Sequence, residues 1–78
     1  MEFFVCPCRA TAHVLLDGND QGLNRDASGG LRTIQCNAGL HSVSLKRDTG
    51  RACKPGKVEV VIENTDPIAP MEVRFRCP

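Results

Sequence analysis

The chain has 78 residues, ten Lys and Arg against nine Asp and Glu, and 41% hydrophobic residues. That length holds one domain, with a core barely large enough to offset chain entropy. Phe3, Phe4 and Phe75 are the only aromatics, so the core must be aliphatic. Few rings can stack on bases and no basic run can track phosphates, which argues against a nucleic-acid partner. No apolar run is long enough to span a membrane as a helix.

Residues 2–8 read as a first strand, Phe4, Cys6 and Cys8 on one face and Phe3 and Val5 on the other. Pro7 places it at a sheet edge or near the strand's end. Residues 12–16 form a second strand, with Val14 and Leu16 sharing a face, and it ends in Asp17-Gly18. Residues 18–30, GNDQGLNRDASGG, are the longest polar stretch and read as a loop or linked turns. Residues 31–36 give a third strand, and Asn37-Ala38-Gly39 reads as a hairpin corner.

The next strand, residues 40–47, turns His41, Val43 and Leu45 inward and Ser42, Ser44 and Lys46 outward. A polar corner, 48–56, holds Cys53 and Pro55. Residues 57–63 alternate again, Val58, Val60 and Ile62 on one face. After a turn at 64–67, residues 71–77 alternate most regularly, Met71, Val73, Phe75 and Cys77 in and Glu72, Arg74 and Arg76 out. No helical period is sustained. The pattern predicts a single all-β domain, a small antiparallel β-sandwich of six or seven short strands over residues 1–78.

In order, these residues resemble a PEGA-type domain, a small β-sandwich module of bacterial and archaeal proteins. The resemblance rests on residues 12–22, where Ala12-His13-Val14-Leu15-Leu16-Asp17-Gly18 is followed by a closing Gly22, and on residues 39–45, Gly39-Leu40-His41-Ser42-Val43-Ser44-Leu45. Asn24-Arg25 stands where that family has Thr-Pro, and Thr11 where it prefers Gly. The resemblance implies a non-catalytic module of an envelope or secreted protein, with His41 belonging to the strand pattern.

Five cysteines, Cys6, Cys8, Cys36, Cys53 and Cys77, are an odd number, so at least one is not paired within the chain. Structural disulfides are the main reading, with Cys6 or Cys8 joined to Cys77 and Cys36 to Cys53 as candidates. Each would add about 3–4 kcal/mol. The alternative is a small cysteine-based metal-binding or thiol protein using Cys6, Cys8, Cys36 and Cys77. The Cys6-Pro7-Cys8 spacing fits neither a zinc knuckle nor an oxidoreductase dithiol.

Asp48-Thr49-Gly50 matches the aspartic-protease triplet, but it follows Lys46-Arg47 rather than an apolar strand and reads as a turn. Asp17, Asn19, Asp20, Asn24 and Asp26 lack the closing Glu and helical flanks of a calcium loop. His13 and His41 read as structural. No catalytic set and no cofactor pattern stands out.

The expectation is therefore a non-enzymatic binding or structural accessory module. It would recognise a protein or cell-envelope component through its loops or an edge strand. Arg25, Asp26, Arg47, Asp48 and Arg51 are the candidate contacts. Cysteine usage favours an extracytoplasmic setting. The start of the sequence lacks the basic flank and apolar length of a signal peptide, so either the chain is cytoplasmic or Met1 stands where a removed signal ended. Oligomeric state is not legible.

Overall fold

A computed structural model describes residues 1–47, 53–54 and 56–76. Seven strands are present among them: β1 (Glu2–Val5), β2 (His13–Leu16), β3 (Asn19–Leu23), β4 (Ile34–Cys36), β5 (Gly39–Lys46), β6 (Val58–Ile62) and β7 (Met71–Glu72). They form two sheets, of order β4-β1-β7 and β3-β2-β5-β6, with no helix among the described residues. The expected β-sandwich is the fold.

Alternation decides which side chains meet between the sheets. From the three-stranded sheet and the chain just beyond β1 and β7 come Phe4, Cys6, Ile34, Cys36, Val73 and Phe75, and from the four-stranded sheet Val14, Val43, Leu45 and Ile62, all buried in one cluster. Cross-strand register explains the match: Val14 stands opposite Leu45, Val58 opposite Val43, and Phe4 opposite both Ile34 and Met71. The faces assigned to these strands from sequence are the faces observed.

Three expectations are corrected. The stretch 18–30 is not wholly loop, because Asn19–Leu23 is a strand paired with β2. Asp17 and Gly18 both take positive φ, at 52° and 85°, and form the two-residue hairpin turn that an Asp-Gly pair favours. Gly22, at φ 91°, sits where one extra residue of β3 bulges out between the His13–Leu23 and Leu15–Asp20 pairs. A side chain there would be strained, and its Cβ would lie 2.6 Å from the Arg32 guanidinium.

Second, Asn37-Ala38-Gly39 is not a hairpin. It carries the chain from β4 in one sheet to β5 in the other. Third, the last strand runs parallel to β1 and its ladder is short. Its extended course continues through Val73 N–H to the Val5 carbonyl and Phe75 N–H to the Pro7 carbonyl. It then meets Lys54, with the Lys54 and Arg76 amides each donating to the other's carbonyl at 2.6 Å.

Candidate functional site

Where β1 runs out, the chain continues as Cys6-Pro7-Cys8-Arg9, and the end of the last strand and the Lys54 segment close alongside it. These segments, with Arg25 from the loop after β3, enclose an open groove of about 640 Å³. Arg9, Arg25, Lys54, Arg74 and Arg76 supply its cationic lining, and Pro7, Cys8 and Phe75 its apolar part. No acidic residue lines it among the described residues. Half of the chain's ten cations therefore converge at one end of the sandwich.

Arg25 is held rather than free. Its Nε and Nη2 donate to the Cys8 carbonyl at 3.2 and 2.7 Å, and Nη1 to the Gly29 carbonyl at 2.7 Å. The loop it belongs to is organised from within. Asp26 Oδ1 accepts the Ser28 and Gly30 amides, both at 2.9 Å, and Arg25 bridges to Leu31. Beneath them Asn24 is fully buried. Its Oδ1 accepts the Ala12 amide at 2.9 Å, and its Nδ2 donates to the Cys6 and Ala10 carbonyls at 3.0 and 3.3 Å. The Asn24-Arg25 pair thus ties the end of β1 and its linker to the exit from β3, fixing one wall of the groove.

The opposite end of β2 carries a second polar cluster. Asp17 Oδ1 accepts the Ser42 amide at 2.8 Å. His41 Nδ1–H donates to Asp17 Oδ2 at 2.7 Å and Nε2–H to the Asn37 carbonyl at 2.6 Å. The Asn37 carbonyl and an ionised Asp17 can only accept, so both bonds are made together by the protonated ring, which they favour over the neutral one. The His41 side chain is 12% exposed. The Asp17 and Asn37 bonds raise the His41 pKa, and the Ser42 amide and His41 lower that of Asp17.

The stabilisation from His41 is complete below the ordinary imidazole pKa and is lost as pH rises through the higher folded value. That from Asp17 is complete above the ordinary carboxylate value and is lost as pH falls through the lower folded one. The urea midpoint of wild type should therefore exceed that of His41→Gln most below the ordinary imidazole value of about 6.5, with the gap closing as pH rises through the higher folded value. A gap independent of pH would show that the ring contributes only packing.

The sequence-derived candidates fall in different places. Arg25 reaches the groove, Asp26 is absorbed in its loop, and Arg47 is half-buried just past β5. Asp48, Arg51, the Asp48-Thr49-Gly50 triplet and Cys77 lie outside the described residues. Cys6, Cys36 and Cys53 are free thiols, so Cys36 is not joined to Cys53 and Cys6 is not joined to Cys77. Burial pushes the Cys6 thiol up to about 12 and raises those of Cys36 and Cys53. All three are protonated apolar side chains at neutral pH.

Among the described residues, no three His, Cys, Asp or Glu side chains are grouped to hold a metal ion. His13 pairs with Asp20 at 3.1 Å. The carboxylates of the calcium-like run are each turned to a local partner, Asp17 to Ser42, Asp20 to Gly22 and Asp26 to its own loop.

Arg9, Lys54, Arg74 and Arg76 were not among the sequence candidates. Arg74 and Arg76 alternate outward on the last strand, a pattern that reads as an ordinary solvated face. Arg9 and Lys54 are single charges in linkers, and nothing local shows that they meet. No family model, curated protein or solved structure matches this chain.

Proposed function

We propose that this protein is a non-catalytic binding module, PEGA-like in its strand pattern and working outside the cytoplasm, with the groove beside the end of β1 as its recognition surface. The observation carrying this reading is the convergence of separate chain segments on one open groove. The Asn24 and Arg25 bonds hold one wall in place, so a partner meets a preformed surface. A photoreactive residue at position 74 should give adducts from an envelope extract that one at position 59, on the β6 edge strand, does not. Adducts favouring position 59 would move recognition to the edge strand, and adducts at neither would end the binding-module reading.

A Cys8–Cys77 disulfide belongs to the same proposal. The last strand runs alongside β1 toward Cys8, with Phe75 bonded to Pro7, and three of the other cysteines are free. Alkylation of the unfolded, unreduced protein should label Cys6, Cys36 and Cys53, and reduction should expose two further thiols. Labelling of all five without reductant, with zinc bound stoichiometrically, would instead favour the thiol or metal protein.

A further inference from the structure

We propose that the groove binds an acidic polypeptide segment, one whose Asp or Glu side chains alternate with apolar ones. This rests on the binding-module reading and names the ligand chemistry for that surface.

The first observation is a like-charge pair built into the backbone. Lys54 and Arg76 are directly opposite in an antiparallel bridge, hydrogen-bonded in both directions. Side chains so placed project to the same side, and like charges in that arrangement destabilise the pair. Arg74, two residues before Arg76, adds a third cation to the same side. Among the described residues no carboxylate pairs with Arg9, Lys54 or Arg76, and Arg74 reaches only the exposed Glu72. Among the described residues, Glu2, Asp17, Asp20 and Asp26 are committed elsewhere. An anion from outside would relieve the repulsion.

The second observation is the kind of cation. Four of the five are arginines, whose planar forks match carboxylate geometry and shed water more readily than an ammonium. The third is the lining between them. Pro7, Cys8 and Phe75 give it apolar surface, which suits side chains of a polypeptide better than a densely hydrated polyanion. Phe75, the ring in the lining, is only 7% exposed, too little of its face to stack a base.

The test is fluorescence anisotropy with a labelled peptide of alternating Glu and Leu, its Gln-Leu counterpart, and inorganic polyphosphate and a DNA oligonucleotide as competitors. The Glu-Leu peptide should bind, weaken as NaCl rises from about 50 to about 200 mM, and outlast the Gln-Leu control. Arg76→Gln and Lys54→Gln should each weaken binding about threefold, and both together about tenfold. Lys46→Gln, on the far face of β5, should leave it unchanged.

Neither Lys54→Gln nor Arg76→Gln should lower the urea midpoint, because each removes repulsion. The ligand assignment is overturned if the peptide fails to bind, if the double variant binds it as well as wild type, or if polyphosphate or DNA displaces it at lower charge concentration. Groove adducts at position 74 alongside any of those outcomes would leave the binding-module reading standing with another ligand.

Discussion

Asn24→Ala should cost about 3–5 kcal/mol, read as a fall in the urea midpoint at unchanged slope. Truncation strands the Ala12 amide and the Cys6 and Ala10 carbonyls, the first two inside the core cluster. Each unsatisfied buried group costs about 1–3 kcal/mol, against about 4–12 kcal/mol for the whole stability of a domain this size. Asn24→Asp separates hydrogen bonding from mere volume. It keeps the acceptor for Ala12 but turns a carboxylate oxygen toward two carbonyls, so it should be destabilised more at pH 7 than at pH 4. An Asn24→Ala loss below about 1 kcal/mol would mean that water replaces the amide.

Phe4→Ala should cost a comparable amount, about 3–5 kcal/mol. Phe4 is fully buried on β1, the centre of its sheet, opposite Ile34 on one side and Met71 on the other. Removing the ring opens a cavity between two neighbouring strands as well as between the sheets. Phe3→Ala, one residue away and half-buried on the other face, should cost much less. Equal losses for the two, measured by denaturant unfolding, would contradict the assigned faces.

The fold was legible wherever period-two alternation ran long enough to mark an inner face, as at Val43-Ser44-Leu45 or Met71-Glu72-Val73. It was hidden where strand residues are polar. Asn19-Asp20-Gln21-Gly22-Leu23 carries no apolar alternation, and it is a strand because the Asp17-Gly18 turn folds it back onto β2. Direction and sheet membership were not legible at all. A corner such as Asn37-Ala38-Gly39 has hairpin residues whether it joins neighbours or crosses between sheets.

The candidate site was least legible, since Arg9, Arg25, Lys54 and Arg76 meet only through tertiary pairing. In the sequence, Asn24 and Arg25 read as two more residues of a polar stretch. Their meaning needed the buried amide and the guanidinium on the Cys8 carbonyl.

The pairing of β1 with β7 sets an order of events during synthesis. Phe4 aligns with Met71, so the central strand of one sheet is made well before the neighbour that pairs with it. Until the final strand emerges, β1 can pair only with β4, and one of its backbone edges stays open. The Cys6 thiol, inaccessible in the finished protein, lacks the core partners Val73 and Phe75 through that interval. Closure over so long a span is slow by nature. The nascent chain is therefore the stage at which this domain is most exposed to oxidation and to pairing with another chain's edge.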